Sequence, residues 1–415
     1  MQNILYSIGY FTFLYPVIMS VIWIVGGLFF WWYKERKKQR IKFPGDWPAV
    51  TLLVPCHNEA VSLDATCDAL SRLSYPDLRV VFIDDASTDN TADLIRKWLP
   101  KVPFFHLLRL TNNQGKAMAL NCGLQGAVHT PITVIIDADT LITTDTIKWL
   151  VAPFTYRPRL GAVTGNPLVY NRDNSLENLQ TAEFASILGL IKRSQRSLGR
   201  VLTISGCLTA FRTDVLKEIG GFSSRSATED IDITWSIQKS FYEVWFEPRA
   251  VGYIQAPRTF KEFWKQRCRW ALGGWHLLRS HKNIFSRWYW RRLWPVYLDF
   301  VISYVWSFCL VLGTLLWLIT FLIGIEPLGL SPFPAWYGAV ISFICLVQFA
   351  AALLTNHQYD SKLYHSFFWV PWYPLFYFSI GALTVVWTSY RGLFGKLESA
   401  GKWKSPARNS LPGSW

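Results

Sequence analysis

Two carboxylates separated by a single residue, Asp137 and Asp139, have the clearest chemical meaning in this sequence. They follow residues 132–136, an apolar run with the composition of a buried strand. Alternate side chains of an extended chain point the same way, and two buried like charges are costly unless a cation lies between them. Mg²⁺ or Mn²⁺, held by carboxylates and by substrate phosphates, is the expected occupant. A D-x-D is common by chance, so its weight comes from its position.

Polar motifs also follow two other predicted strands. Residues 51–54 lead into PCHNE, which ends at Glu59, and residues 80–83 lead into DDASTD, which contains Asp85. Acidic residues at strand ends can accept hydrogen bonds from ribose hydroxyls or a uracil N–H. Aspartate, asparagine and serine are also the usual turn and capping residues, and for Ser87 and Asp89 that structural role explains the sequence at least as well.

Asp230 ends the motif TED, after a stretch rich in serine and glycine and before a predicted helix over residues 231–240. A carboxylate near a helix N-terminus often only caps the helix or complements its dipole. The alternative is a general base that takes a proton from an acceptor hydroxyl. The sequence leaves both open.

A predicted helix over residues 260–278 carries the motif QRCRW and an apolar stripe that indicates a helix in the membrane interface. The stripe consists of Phe263, Trp264, Ala271, Trp275 and Leu278. The motif residues are Gln266, Arg267, Arg269 and Trp270. They could serve lipid anchoring, with their cations reaching the headgroups. Alternatively, one arginine faces a diphosphate while the indole stacks on a sugar.

The motifs must be positioned by an α/β domain. Between residues 41 and 257, short β-rich runs alternate with helix-length stretches such as 59–73, 91–99 and 116–127. Such alternation is typical of a mainly parallel sheet covered by helices, which binds ligands at the carboxyl ends of its strands.

Four apolar segments surround this region. Residues 11–33 precede a cluster of lysine and arginine, which predicts a transmembrane helix with its C-terminal end inside. A cleaved signal peptide would carry its positive charge before the apolar stretch and a small-residue cleavage site after it, and neither is present. Residues 294–325, 335–355 and 367–390 are three further predicted spans. Pro371 and Pro374 should kink the last one or make its first part interfacial.

The number of spans conflicts with the charge of the C-terminal tail. If residues 41–293 are cytoplasmic, three later spans leave the tail outside, although it is basic and should remain inside. Its basic residues are Arg391, Lys396, Lys402, Lys404 and Arg408. Either the kinked segment does not cross fully, or the rule is overridden.

Composition agrees with a membrane protein that has one catalytic domain. Among 415 residues, 51% are hydrophobic, and the 22 tryptophans suit a large perimeter of lipid headgroups. Much of the net charge of +14 lies beside apolar segments, which predicts a lipid bilayer and anionic substrates as partners and no nucleic acid. The seven cysteines form no metal-ligand pattern and are expected to be reduced and packed.

In this order, PCHNE, DDASTD, NQGKA, DAD, TED and QRCRW resemble the motifs of the processive family-2 glycosyltransferases, which include cellulose, chitin and hyaluronan synthases. The resemblance covers nearly the whole chain. Residues 19–27, 161–167 and 189–193 further resemble the biofilm poly-β-1,6-N-acetylglucosamine synthases.

The resemblance implies an α/β GT-A (nucleotide-diphospho-sugar transferase) domain with flanking transmembrane helices and amphipathic interface helices. It also implies a multi-pass protein of the bacterial inner membrane with a cytoplasmic catalytic domain. The expected regions are an N-terminal helix with its basic flank, the GT-A domain, interfacial helices, a transmembrane region and a basic tail. Their boundaries are 1–40, 41–257, 258–293, 294–390 and 391–415.

Site roles follow from the resemblance residue by residue. Asp85 would bind the uridine, Asp137 the donor, and Asp139 the donor diphosphate through the metal. Asp230 would be the base, and Lys116 would contact the nucleotide. The other matched positions are Glu59 at the nucleotide and Gln266, Arg267, Arg269 and Trp270 at the diphosphate and the acceptor end. Ala86 stands where glycine is frequent in the family.

The implied reaction is inverting transfer of N-acetylglucosamine from UDP-N-acetylglucosamine to a growing polysaccharide chain, with a small membrane partner subunit. No c-di-GMP-binding domain is appended, so such control would need a partner. The alternatives are another β-glycan synthase, a non-processive transferase with a lipid-phosphate acceptor, and a non-catalytic transport or scaffold subunit. Carboxylates in all three acidic motifs argue against the last.

Overall fold

The computed structural model describes residues 2–36, 43–324 and 336–395. The described residues form two compact units. The sheet unit contains residues 43–171 and 200–256, and the helical unit contains the described parts of 2–36, 172–199 and 257–395. Residues 172–199, which lie inside the predicted catalytic domain of 41–257, therefore group with the apolar helices.

The strands and helices have the following bounds in the described residues. The strands are β1 (Val50–Cys56), β2 (Leu78–Asp84), β3 (Phe105–Arg109), β4 (Ile132–Ile136), β5 (Leu141–Ile142), β6 (Leu160–Val169), β7 (Leu208–Arg212) and β8 (Glu243–Ile254). The α-helices are α1 (Gln2–Phe30), α2 (Ala60–Ser71), α3 (Thr91–Trp98), α4 (Lys116–Gly126), α5 (Thr146–Tyr156), α6 (Ser175–Phe184), α7 (Lys192–Ser197), α8 (Thr213–Glu218), α9 (Glu229–Lys239), α10 (Phe260–Ser280), α11 (Trp294–Leu322), α12 (Trp336–Asn356) and α13 (Ser379–Phe394).

The sheet unit is built on one mixed sheet with strand order β3-β2-β1-β4-β7-β6-β8-β5. β3, β2, β1 and β4 are parallel neighbours, and β7 runs antiparallel to β4 and β6. The three predicted strands over residues 51–54, 80–83 and 132–136 are confirmed as β1, β2 and β4, and so is the parallel pairing expected from the alternation with helices.

Both faces of the sheet are covered. Along β1, Leu52 and Val54 pack into one apolar cluster, whereas Leu53 packs into another. This alternation explains why β1 reads as a continuous apolar run, since a strand buried on both faces needs no polar side.

Within the described residues, the helical unit contains three helices that are long and apolar enough to cross a membrane. They are Tyr6–Glu35, Trp288–Leu322 and Gly338–Asn356. These match the predicted spans over 11–33, 294–325 and 335–355, although residues 325 and 335 lie outside the described residues. The cores of the three predictions are confirmed as apolar helices.

The fourth predicted span is a bent pair of helices, Ser361–Trp372 and Phe376–Phe394, with an angle of 72° between them. Pro371 lies inside the first helix, and Pro374 starts the π-helical turn Pro374–Phe378. A proline removes a backbone donor and obstructs a straight helix, so the predicted kink is confirmed. The tail beyond residue 395 lies outside the described residues.

Close packing joins α1 to α7. A Cβ atom at Gly26 would lie 2.2 Å from Ser194 Oγ, and one at Gly27 would lie 2.3 Å from a methyl carbon of Leu190. The two glycines therefore let the first apolar helix approach residues 190–194 at a distance that no larger residue permits.

A buried ion pair lies beside this contact. Arg193 is fully buried, and its Nε donates to Glu35 Oε1 at 2.6 Å. Arg193 Nη1 also donates to Asn356 Oδ1 at 3.1 Å. Because Glu35 ends the first apolar helix and Asn356 ends α12, the C-terminal ends of these two helices lie together.

Candidate active site

The predicted motifs meet at one edge of the sheet. Cys56 and Asp84 are register partners at the carboxyl ends of β1 and β2, and β4 lies on the other side of β1 in parallel. The loops that follow these strands carry PCHNE, DDASTD and DAD, respectively. Parallel α/β sheets bind ligands at this edge, as the sequence predicts.

Asp85 is fully buried, and it organises the start of α4. Its two carboxylate oxygens accept hydrogen bonds from the backbone N–H groups of Gln114 at 2.9 Å and Gly115 at 2.8 Å. Gly115 has a φ of +85°, a conformation that favours glycine. Asp85 thus fixes the loop that presents Lys116, and its predicted role at the uridine stays a prediction.

Asp84, also fully buried, supports the same loop. Its Oδ1 accepts from Ser87 N at 3.0 Å, and its Oδ2 lies 3.2 Å from Arg109 Nε. Between these two aspartates and Ser87 lies Ala86, whose φ is +53°. The turn therefore needs the left-handed conformation, which glycine adopts without steric cost and which strains a residue with a Cβ atom. Alanine is thus less favourable than glycine at this position.

Asp89 and Ser87 make the structural contacts that the sequence allowed. Asp89 Oδ2 accepts from Ala60 N at 3.2 Å, at the start of α2, and its Oδ1 accepts from Thr91 N at 3.0 Å, at the start of α3. Ser87 Oγ accepts from Asn58 N at 3.0 Å. The capping interpretation is therefore confirmed for Asp89.

Glu59 is nearly fully buried beside this loop. Its Oε2 accepts from Ser62 Oγ at 3.3 Å, and its backbone N–H donates to Thr91 Oγ1 at 2.9 Å. These contacts fix Glu59 at the start of α2, and its predicted contact with the nucleotide stays a prediction.

Lys116 brings together three motifs that are far apart in the sequence. Its Nζ lies 2.6 Å from Asp137 Oδ1 and 3.3 Å from Glu229 Oε1, and it donates to the carbonyl of Gly206 at 3.3 Å. NQGKA, DAD and TED therefore share one ammonium group, at the edge where the sequence placed them.

The electrostatics of this cluster follow from desolvation and excess negative charge. Burial raises the pKa of Asp137, and the nearby Asp139 and Glu229 raise it further, while Lys116 opposes the rise. Burial alone would lower the pKa of Lys116, but Asp137 and Glu229 raise it overall, so the ammonium stays charged. Three carboxylates thus face one internal cation.

Asp230 lies in the first turn of α9, which begins at Glu229 after Thr228. Its Oδ1 accepts from Ile231 N at 3.0 Å. A Cβ atom at Gly206 would lie 3.6 Å from Asp230 Oδ2 and 3.7 Å from Lys116 Nζ, so both side chains border the same space. Because the helix starts earlier than predicted, Thr228 occupies the N-cap position, and capping accounts less well for the Asp230 carboxylate.

Asp139 is buried two residues beyond Asp137. Among the described residues, no group of three histidine, cysteine, aspartate or glutamate side chains could hold a metal ion by itself. A cation at this edge would depend on oxygen atoms from a bound substrate as well as on the D-x-D.

The QRCRW motif lies on α10 in the helical unit. Thr259 and Glu262 form a capping box that starts the helix. Arg267 is buried, and its two Nη atoms donate to Glu183 of α6 at 2.5 and 2.7 Å. Arg269 is exposed, and Gln266 Oε1 is buried with no hydrogen-bond partner in the part of the chain that the structure describes.

The apolar stripe of α10 contacts protein over its C-terminal half. Ala271 and Trp275 form a buried cluster with Tyr304 of α11 and Val385 of α13, and Leu278 packs against it. Trp275 Nε1 donates to the carbonyl of Val385 at 3.1 Å. This half of the stripe therefore packs against other helices rather than serving as a lipid anchor.

Sequence reasoning missed three members of these arrangements. Glu229 and the carbonyl of Gly206 join the Lys116 cluster, and Glu183 pairs with the motif arginine. Of these three, only Glu229 could have been found from the local sequence, because it lies inside the TED motif. The others are brought in by tertiary contacts.

An α/β sheet with acidic loops at its carboxyl edge is typical of the GT-A class of glycosyltransferases, and the apolar helices on both sides of it in the sequence indicate a membrane-associated member. Residues 48–273 match the family described as "Glycosyltransferase like family 2". This chain belongs to the family-2 glycosyltransferases.

Two relatives are similar over nearly their full lengths. The poly-β-1,6-N-acetyl-D-glucosamine synthase of Staphylococcus epidermidis is 32% identical over 414 residues, covering 97% of this chain and 98% of the relative. The synthase of the same name from Staphylococcus aureus (strain COL) is 34% identical over 412 residues, covering 97% and 99%. The family resemblance inferred from the motifs is confirmed.

A solved structure supports the fold alone. The mannosyltransferase PcManGT from Pyrobaculum calidifontis, in complex with GDP-Man and Mn²⁺, superposes with a TM-score of 0.57 at 20% identity. It covers 92% of this chain and 99% of the other. The GT-A fold predicted from the sequence is thereby confirmed.

Proposed function

We propose that this chain polymerises N-acetylglucosamine from UDP-N-acetylglucosamine into poly-β-1,6-N-acetylglucosamine for a biofilm matrix. The observation that carries the proposal is the similarity to two synthases of this product over 97% of the chain. The cluster of Lys116, Asp137 and Glu229 beside Asp230 supports it, because transfer from a nucleotide sugar needs charged groups at the diphosphate and a base at the acceptor.

A divalent cation fits the D-x-D. Asp137 and Asp139 add like charge at one strand end. Burial raises the pKa of Asp137, and the charges of Asp139 and Glu229 raise it further against the opposing effect of Lys116. Mg²⁺ is typically held by one or two carboxylates plus substrate phosphates, so the lack of a third protein ligand does not oppose it. Asp139, assisted by Asp137, would hold Mg²⁺ or Mn²⁺. When bound, the cation would neutralise charge on the departing diphosphate.

The protein's own side chains would perform the remaining steps of the transfer reaction. Asp230 would accept the proton of the attacking acceptor hydroxyl, which reaches the anomeric carbon from the face opposite the leaving UDP and inverts the configuration. Lys116 stays charged beside Asp137 and would stabilise the negative charge of the nucleotide. Asp85 and Glu59 would define the nucleotide pocket from β2 and α2.

The QRCRW motif would bind the diphosphate and the acceptor end, as the family resemblance implies. Arg269 is exposed and available for a diphosphate, and Trp270 has an indole face suited to stacking on a sugar ring. Gln266 presents a side-chain oxygen that has no partner in the described residues and could accept from a sugar hydroxyl.

In this proposal the protein is a multi-pass component of the bacterial inner membrane with its sheet unit in the cytoplasm. The basic cluster after the first apolar helix supports that orientation. The apolar helices would offer the polymer a route outward, and a small membrane subunit would be a partner, as the family resemblance implies.

Product analysis tests the function. Purified protein in lipid is incubated with radiolabelled UDP-N-acetylglucosamine, and in parallel with other UDP-sugars. We expect polymer only from the N-acetylglucosamine donor, sensitive to a β-1,6-specific N-acetylglucosaminidase and resistant to chitinase. A chitinase-sensitive polymer would overturn the linkage, and label confined to a single sugar on lipid would overturn polymerisation.

A further inference from the structure

The two arginines of the QRCRW motif lie in different environments. Arg269 is exposed, whereas Arg267 keeps only 6% of its surface exposed. Both Nη atoms of Arg267 donate to the carboxylate of Glu183, one to each oxygen, and Glu183 is 1% exposed. The Nε of Arg267 has no hydrogen-bond partner among the described residues, but it is buried, so this arginine presents no exposed donor to a diphosphate.

The guanidinium of Arg267 also lies between two aromatic rings of its own helix. Its central carbon is 4.5 Å from the centre of the Phe263 ring and 4.4 Å from that of Trp270. Phe184, the residue after Glu183, has its ring centre 6.3 Å from that of Trp270. One face of the Trp270 indole is therefore covered by the Arg267 guanidinium, which is itself fixed by a carboxylate on another helix.

Stability alone is a weak reason for this arrangement. Taking a carboxylate and a guanidinium out of water is expensive, and apolar residues of similar volume often replace a buried pair without loss of stability. A planar, bidentate pair does fix orientation, however, because it leaves the guanidinium little freedom to rotate. That orientation matters for the groups beside the guanidinium, and in the described part of the chain these include the Phe263 and Trp270 rings.

We propose that Glu183 is a positioning residue for the acceptor sugar: it holds Arg267, which in turn fixes the indole plane of Trp270. The inference rests on the proposed function, in which Trp270 receives the acceptor. It also gives the two arginines of the motif different roles, because Arg267 orients Trp270 and Arg269 alone is left to bind the diphosphate.

The test compares Glu183→Gln with the double variant Glu183→Met/Arg267→Met in full-length protein in lipid. Transfer is measured at saturating UDP-N-acetylglucosamine with N-acetylglucosamine oligosaccharides as acceptors, alongside donor affinity and the thermal midpoint. We expect Glu183→Gln to raise the KM for acceptor about tenfold, the scale of one desolvated cation–π contact, and to shorten the product. Donor affinity should stay within about twofold, because no donor contact is removed.

The double variant separates positioning from folding. Two methionines should restore the midpoint without restoring the acceptor KM, since the core is filled but nothing polar fixes Trp270. Recovery of both the midpoint and the acceptor KM would overturn the inference. Lys265→Met is the matched control: it removes a cation from the exposed side of the same helix and should leave the acceptor KM unchanged.

Trp270→Ala distinguishes failure of this inference from failure of the proposed function. If it loses acceptor affinity while Glu183→Gln does not, the positioning role alone is wrong. If it keeps normal acceptor affinity, the assignment of the motif to the acceptor fails, and the positioning role fails with it.

Discussion

Lys116 Nζ lies 2.6 Å from Asp137 Oδ1, and this ion pair joins the first turn of α4 to the end of β4. The same ammonium is 3.3 Å from Glu229 at the start of α9. One ammonium thus bridges two acidic motifs. Because Asp137 and Glu229 raise the pKa of Lys116 above its ordinary value in spite of burial, the ammonium stays charged and can contact an anionic ligand.

Removal of that cation should weaken nucleotide binding. In Lys116→Met, we expect UDP affinity measured in EDTA to fall by about ten- to a hundredfold, the value of one hydrogen bond to a charged group. Isothermal calorimetry with UDP checks this. Lys97→Met, which removes an exposed lysine from α3, is the control for loss of net charge. Unchanged UDP affinity in Lys116→Met would remove Lys116 from the nucleotide site.

Chelation should abolish transfer. The carboxylates of Asp137, Asp139 and Glu229 outnumber the single ammonium beside them, and a diphosphate adds further negative charge. We expect excess EDTA to stop UDP release and added Mg²⁺ or Mn²⁺ to restore it. Continued full activity in EDTA, after dialysis to strip bound ions, would mean that Lys116 and Arg269 neutralise the diphosphate without a metal ion.

Ala86→Gly should stabilise the protein. Ala86 has a φ of +53°, and the left-handed conformation costs a residue with a Cβ atom roughly 1–2 kcal/mol, partly offset by the larger unfolded-state entropy of glycine. The net expectation is about 1 kcal/mol, seen as a higher thermal midpoint in detergent. Ala65→Gly, inside α2, should lower the midpoint by a similar amount. A lower midpoint for Ala86→Gly would contradict the strain.

The local sequence pattern was sufficient to predict which loops meet at the carboxyl edge of the sheet. The apolar runs before PCHNE, DDASTD and DAD predict strands, and parallel pairing then places the loops together, as β1, β2 and β4 do. The pattern could not assign Asp85 to two backbone N–H groups of the Lys116 loop, because that contact depends on how β2 and α4 approach each other.

For a similar reason, the sequence could not predict the buried ion pairs between distant residues. Nothing near Glu183 indicates that its partner is Arg267, 84 residues later. The same holds for Arg193, whose partner Glu35 ends the first apolar helix. Each of these buried charges is stable only because of a partner that periodicity and spacing do not reveal.

The C-terminal tail is expected on the cytoplasmic side. Arg193 bonds Glu35 and Asn356, so the first apolar helix and α12 end on one side. Arg279 of α10 precedes α11, so it would lie on the cytoplasmic side in the proposed orientation. It donates to the carbonyls of Gly392 and Gly395 at the end of α13. The bent pair of helices would then return to the side from which it started, which reconciles three crossings with a basic tail inside.

Cysteine labelling measures this topology. In a background without the seven native cysteines, Gly45→Cys and Ser410→Cys should both resist an impermeant maleimide added to intact cells and react after lysis. Gln2→Cys should react from outside and serves as the control for reagent access. External labelling of Ser410→Cys would mean that the bent pair crosses the bilayer, and labelling of Gly45→Cys would invert the orientation of the catalytic domain.

The most informative prediction separates the roles of Asp139 and Asp230. If Asp139 acts on the diphosphate through the cation, Asp139→Ala should weaken UDP-N-acetylglucosamine binding as well as transfer, because the ground state already carries that charge. Asp230→Asn keeps the size of the side chain and an oxygen that can accept from Ile231 N, but it removes the proton acceptor. Donor binding should therefore persist while transfer falls by about 10² to 10⁴.

A purely structural Asp230 predicts a different result. Asparagine stabilises a helix start as well as aspartate does, and Thr228 already occupies the N-cap position of α9, so Asp230→Asn would then keep nearly normal transfer. Donor affinity by calorimetry and transfer by UDP release, measured on one preparation of each variant, distinguish the two. Near-normal transfer by Asp230→Asn would refute its assignment as the base, whereas intact donor binding with lost transfer at saturating acceptor is the result expected for a proton acceptor at this position.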